Sequence, residues 1–212
     1  MFHVEHLARQ VREHAALLGI PLDKKASEAL IAHLVLLAEW NDRLNLVGPG
    51  TPETWVGRHT LDSLIPARMI ATGMEVLDVG SGAGFPGIPL AIAHPGASLS
   101  LAERRAKRRA FLQNVLATAS IANASVIEAP EATKQYDLVL GRAVQPAREW
   151  LIYAAPFVRP GGWVGVFSRS DAPEPAVPQG LRFSGAKDYT LPGDDVARRF
   201  SWFERFQENK TQ

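Results

Sequence analysis

The chain has 212 residues, 46% of them hydrophobic and 21% charged, and a formal net charge of +1. Those proportions fit a soluble globular fold of ordinary size with an extension, and no apolar run is long enough to cross a membrane. Cysteine is absent, which excludes a disulfide, a thiolate-bound zinc and a thiolate nucleophile.

The segment Met1-Phe2-His3-Val4-Glu5-His6 lacks a basic stretch leading into an apolar core, so no secretory signal is expected and the location is read as cytoplasmic. Residues 4–18 read as a first helix ending before Gly19-Ile20-Pro21. A second is expected from about Asp23, a suitable N-cap, to Leu44, with Leu30, Leu34, Leu37 and Leu44 on one face. Asn45 to Gly50 is a loop by its Gly and Pro content. Thr51-Pro52-Glu53 is a strong start for a third helix that carries Trp55, Arg58, His59, Asp62 and Leu64. In one continuous helix Arg58 and Asp62, four apart, meet on one face.

The pattern then changes. Apolar strands are expected at 75–79, 98–102, 124–128, 136–141 and 163–167, the last following a turn at Pro160-Gly161-Gly162. Helices fall between them at 88–94, 104–118 and 146–155. Strands alternating with helices specify an α/β structure around a mostly parallel sheet. Residues 170–180 form a Pro-rich and acidic loop. Two further β-like runs, 181–189 and 199–206, are close enough to make an antiparallel hairpin at one sheet edge.

The most informative stretch is Val76 to Gly87, an apolar strand ending in Asp78 and followed by Gly80, Gly82, Gly84 and Gly87. It reads as the first strand, glycine turn and helix of a nucleotide-binding unit, because glycine lets the backbone approach a ligand. Alone, this turn does not choose between a dinucleotide and S-adenosylmethionine. Asp78 argues for the latter, since a carboxylate there suits a cationic amino or sulfonium group better than a pyrophosphate. Glu103, ending the second strand about twenty residues on, is placed to accept the hydroxyls of a ribose; the bland alternative is an acid at a helix N-terminus. Glu131 is either a ligand contact or a solvated carboxylate. Arg104, Arg105, Lys107, Arg108 and Arg109, with Arg198, Arg199 and Arg205, are either phosphate contacts or solvated faces. His3 and His6 have metal-like spacing but no third ligand nearby, so no metal is assigned.

Asn45-Leu46, Arg58-His59-x-x-Asp62-Ser63, Asp78 to Pro89, Glu103, Lys107-Arg108 and Arg142-Ala143 closely resemble the RsmG (GidB) family, bacterial methyltransferases of guanine N7 in 16S ribosomal RNA. The resemblance implies a class I S-adenosylmethionine-dependent methyltransferase fold, Rossmann-like, with a mostly parallel sheet, an antiparallel edge strand and an N-terminal helical extension. It implies a helical cap over 1–72 and a catalytic core over 73–212, with 16S rRNA or the small ribosomal subunit as partner. It also implies cofactor contacts at Gly80, Phe85, Pro130, Glu131 and Arg142, beside Asp78, Gly82, Gly84 and Glu103. Arg142, His59 and Arg58 are then the candidates for positioning the reactants, although His59 reads equally well as a histidine fastening cap to core. This chain has Ala129-Pro130-Glu131 where the family tends to have Arg-Ala-Glu, Gly141 where it tends to have serine, and Phe167 where a lysine is usual.

No general base is expected, because guanine N7 carries a free lone pair and needs alignment more than deprotonation. Methylation at a pyrimidine C5 normally needs a cysteine. The readings that compete with a methyltransferase are a small NAD(P)-dependent oxidoreductase and a non-catalytic nucleotide- or RNA-binding module.

Overall fold

The structure, a computed structural model, describes residues 2–206, with side chains from Val4 onward. The side chain of His3 therefore lies outside the described residues. Two helices lead, α1 (Phe2–Leu17) and α2 (Lys24–Leu44). The Asp23 carboxylate accepts the Ala26 N–H at 2.6 Å and Asn45 closes α2 in the left-handed region at φ 46°. Leu30, Ile31, Leu34 and Leu37 are fully buried on one stripe of α2.

The third expected helix is not continuous. It starts as α3 (Pro52–Trp55), widens into a π-helical turn (Val56–Leu61), returns to α4 (Asp62–Leu64) and tightens into a 3-10 turn (Ile65–Met69). A π turn bonds i to i+5, so residues four apart no longer share a face. Arg58 is left exposed, and Asp62 turns inward to Arg142 at 3.1 Å rather than to Arg58.

The sheet has seven strands in the order β3-β2-β1-β4-β5-β7-β6. They are β1 (Glu75–Val79), β2 (Ser98–Ala102), β3 (Ala124–Ile127), β4 (Tyr136–Leu140), β5 (Val158–Arg169), β6 (Leu181–Leu191) and β7 (Asp194–Arg205). Strands β1 to β5 are parallel, in the arrangement expected of a Rossmann-like sheet. The tail hairpin is at the edge as its short connection implies, and its second strand is the one that joins the sheet. β7 runs antiparallel to β5, and β6 lies outside it. Strand β5 begins five residues earlier than expected. Pro160-Gly161-Gly162 is not a turn before the strand but an irregularity within it, between Val158 paired to Tyr136 and Trp163 paired to Leu138.

Helices α5 (Gly87–Ala93), α6 (Ala106–Thr118) and α7 (Ala147–Ala154) complete the layers. α6 starts two residues later than expected because the Glu103 carboxylate takes the Arg105 N–H at 2.8 Å, which holds Arg104 and Arg105 in the preceding loop. Leu7, Val11, Leu30 and Leu34 share one core with Leu90, Leu99, Phe111 and Leu138, so α1 and α2 pack on the same sheet face as α5 and α6. The opposite face packs around Leu77, Val139, Trp150, Leu151 and Phe203, and is roofed chiefly by α7 and its 3-10 extension (Ala155–Phe157). Residues 128–135, joining β3 to β4, hold no helix.

Candidate active site

In an open parallel sheet the ligand crevice lies beyond the carboxyl ends of the strands. There the chain encloses a cleft of about 1230 Å³, lined by the turns after β1, β2, β3 and β4 and by the π turn. Its volume exceeds the roughly 300–1,000 Å³ typical of a small-molecule pocket.

The glycine turn forms the floor. Gly80 (φ +70°) and Gly82 (φ +52°) both lie in the left-handed region, which glycine enters without steric cost. Both line the cleft, and a Cβ on Gly80 would stand 3.1 Å from Val144. Gly84 and Asp78 do not line the cleft. A Cβ on Gly84 would meet Ile88 at 2.4 Å and His33 at 3.2 Å, so its bareness serves packing behind the turn.

Asp78 departs further from expectation. It is fully buried, accepts the Gly87 N–H at 3.0 Å from the start of α5, and has its other carboxyl oxygen without a partner. Burial pushes its pKa up to about 7, opposed by the Ser81 side chain and then by the Gly87 N–H. Asp78 thus shapes the turn from beneath and lies outside the cleft lining.

Glu103 occupies the expected place. Its carboxylate is nearly buried in the cleft wall, accepting Gly82 N–H at 3.1 Å and Arg105 N–H at 2.8 Å. Each oxygen keeps a second lone pair able to accept a further hydrogen bond, and Oε2 stands 4.0 Å from the Arg108 guanidinium. Pro130 lines the wall after β3 together with Ala129, whereas Glu131 is exposed and outside the lining. The bare glycine turn, the Glu103 carboxylate and this apolar wall fit the diol and ring of S-adenosylmethionine.

Across the cleft, Arg142 follows β4. Its guanidinium donates to Asp62 at 3.1 Å and to His59 Nδ1 at 3.1 Å, and lies over the Phe85 ring at 5.2 Å. His59 stacks on the same ring at 5.1 Å. Burial, then the Arg142 and Arg58 charges, push its pKa down to about 4, so His59 is neutral at pH 7. Arg58 is exposed at the rim. The structure therefore brings Gly80, Gly82, Phe85, Glu103, Pro130, Arg142, His59 and Arg58 around one space.

The basic residues divide. Arg104, Arg105 and Lys107 are exposed, and Arg104, Arg105 and Arg108 line the cleft. Arg109 is held by Glu128 at 3.2 Å and by the carbonyls of Glu103 and Arg104. Arg199 pairs with Asp188 and Glu174, Arg198 with Asp194, and Arg205 donates to the carbonyls of Pro156 and Val158. Those four carry internal bonds, and Arg108 is also partly engaged, standing 4.0 Å from Glu103 and donating to the Asn45 carbonyl at 3.4 Å.

Two contributors escape sequence reasoning. His33 is fully buried in the apolar stripe of α2, and its Nε2 bonds the Ala83 carbonyl at 2.7 Å, tying α2 to the glycine turn. Tyr189, in β6, donates to Asp62 at 2.7 Å. A histidine at the spacing of Leu30, Leu34 and Leu37 is a signal for the first; the second has none in the linear order. Among the described residues no three or more His, Asp or Glu gather in a metal-binding group, and no helix is long and apolar enough to cross a membrane.

The structure of M. jannaschii TYW2 in complex with AdoMet superposes with a TM-score of 0.53 at 16% identity, covering 68% of this chain and 75% of that one. TrmN from Thermus thermophilus gives 0.50 at 18% identity, covering 71% of this chain and 53% of that one. At such identities the likeness concerns the fold, a class I methyltransferase fold. A protein of Syntrophobacter fumaroxidans named ribosomal RNA small subunit methyltransferase G 1 is 34% identical over 85% of this chain and 89% of its own length. The Acetivibrio thermocellus protein named ribosomal RNA small subunit methyltransferase G is 28% identical over 97% of this chain and 91% of its own. Neither a nicotinamide-dependent oxidoreductase nor a non-catalytic module finds support among these relatives. The family model described as rRNA small subunit methyltransferase G matches residues 26–174, from α2 through the floor and both walls of the cleft, and the chain belongs to that family, GidB.

Proposed function

We propose that the enzyme transfers the methyl group of S-adenosylmethionine to N7 of a guanine in 16S ribosomal RNA, acting in the cytoplasm on the RNA or the small subunit. The observation that carries the reading is the single cleft with Glu103 on one wall and Arg142, His59 and Arg58 on the other. When bound, S-adenosylmethionine supplies an electrophilic methyl group on a sulfonium sulfur. Gly80 and Gly82 let the backbone approach it, Glu103 receives ribose hydroxyls, Pro130 flanks its ring, and Phe85 and Arg142 border the reacting end.

Guanine N7 attacks with its own lone pair, so no residue need remove a proton first. The neighbourhood of Arg142 agrees with that demand. His59 is neutral and its Nδ1 already accepts from Arg142, which leaves it a wall and a stacking surface rather than a base. What the site supplies is alignment, worth several orders of magnitude in effective concentration. The N7 edge faces the deep RNA major groove, which side chains do not enter, so the target base is read as unpaired or extruded. Exposed Arg58, Arg104, Arg105 and Lys107 neutralise phosphates around the mouth.

The test is methyl transfer from labelled S-adenosylmethionine to small subunits and to naked 16S RNA, with the modified base mapped. Label at N7 of one guanine is the expected result. Label on an exocyclic amine, or equal labelling of a guanine inside an undistorted duplex, overturns the reading.

A further inference from the structure

Asp62 is bonded from three parts of the chain. Arg142 after β4 meets one carboxylate oxygen at 3.1 Å. Tyr189 on β6 donates to the other at 2.7 Å, and Arg198 on β7 stands 3.7 Å from that same oxygen. Asp62 and Tyr189 are both buried. β6 and β7 lie beyond the residues matched by the family model, and neither Tyr189 nor Arg198 lines the cleft. Their hydrogen bond and ion pair to the cleft residues both go to Asp62.

A guanidinium on a loop, otherwise held only by a neutral histidine and an aromatic ring, has several rotamers of similar energy. A buried carboxylate with its free oxygen pinned by a phenol leaves one. The widened π turn presents His59 and Asp62 to Arg142 together, and the hairpin keeps the carboxylate from swinging away.

We propose that Asp62 and Tyr189 are positioning residues: the tail hairpin, through Tyr189 and Asp62, fixes the orientation of Arg142 in the cleft. This rests on the proposed role of Arg142 beside the reacting groups.

The experiment is a double-mutant cycle with Tyr189→Phe and Arg142→Lys, reading kcat and KM for methyl transfer to small subunits and, separately, melting temperature. Tyr189→Phe removes one hydroxyl from a packed ring. It is expected to lower kcat about 3- to 10-fold with little change in melting temperature, about the net worth of one ordinary hydrogen bond. In the Arg142→Lys background, where no fork remains to be oriented, the same change should have almost no further effect on kcat. Asp62→Asn, which keeps the shape, should fall between the two single variants. A full-sized additive loss in the double variant overturns the positioning role while leaving Arg142 in the site. Full activity of Arg142→Lys removes Arg142 from the machinery and this inference with it. A loss of activity by Tyr189→Phe that tracks a fall in melting temperature also overturns it.

Discussion

Replacing His33 with glutamine should flatten one part of the protein's stability profile against pH. The imidazole is fully buried between α2 and the glycine turn, and burial pushes its pKa from 6.5 down to about 4, opposed by its bond to the Ala83 carbonyl. In the unfolded chain the ring titrates near 6.5. Between those values the unfolded state binds the extra proton and the folded state does not. The contribution is fully present above about pH 6.5 and is lost as pH falls toward 4. At ~1.4 kcal/mol per pH unit the interval is worth about 3 kcal/mol.

The whole protein does not show this slope cleanly. Asp78, with its pKa raised to about 7, binds a proton more readily when folded, so its contribution falls as pH rises from about 4 to 7. His59, lowered to about 4, adds to the slope of His33. Subtracting variant from wild type cancels both. Glutamine can still reach a carbonyl with its amide but does not titrate. Urea unfolding of the two proteins from about pH 7.5 to about pH 4.5 gives the difference directly. The wild type should lose stability relative to His33→Gln by more than about 1.5 kcal/mol over that range, nearly all of it below pH 6.5. Parallel curves would mean that His33 titrates normally and that its burial does not exclude the proton.

The remaining expectations concern the cleft. Gly82→Ala places a Cβ at φ +52°, 3.5 Å from the Arg108 side chain. It should cost the fold only about 1–2 kcal/mol while weakening S-adenosylmethionine more than tenfold by calorimetry; unaltered affinity would take the turn out of the cofactor site. Glu103→Gln should lower cofactor affinity about 10- to 100-fold, the worth of hydrogen bonds to a charged acceptor, with kcat at saturation little changed. Arg108→Glu should reduce the salt slope of RNA binding by about one unit, as for one phosphate contact. Arg199→Ala, its partners being Asp188 and Glu174, should leave that slope unchanged; if it does not, the division of the cations drawn above is wrong.

The sheet and the cleft floor were legible because their signals are local. β1, the glycine turn and β2 are read from two five-residue segments rich in apolar residues and from the spacing of Gly80, Gly82, Gly84 and Glu103. Where the reading departed from the structure, a particular side-chain bond or a local change of helix geometry outweighed average preference. The helix expected from Arg104 begins at Ala106 because a carboxylate claims the Arg105 N–H. The Arg58–Asp62 pair rested on uniform helix geometry, which the π turn abolishes. Asp78 precedes the glycines but stays out of the cleft lining; alternation along a strand sends neighbouring side chains to opposite faces, and its own face points under α5. The link from Asp62 to Tyr189 spans 127 positions, a distance at which neither periodicity nor motif carries information.

The place of β7 between β5 and β6 has a consequence for the order in which the protein is built. β6 is made first, yet its described partner in the sheet is β7. A growing chain must therefore hold Tyr189 in an unpaired strand until residues 194–205 have been synthesised and laid against β5. The bond from Tyr189 to Asp62 spans 127 positions, and the entropy of closing so long a loop is lost before the contact rewards it. Before that moment the glycine turn and Glu103 can already be in place, while the carboxylate opposite them lacks its phenol and Arg142 lacks a fixed aim. Competence to hold the cofactor and competence to transfer a methyl group would then arise at different stages of synthesis, so that an unfinished enzyme is one that binds and waits.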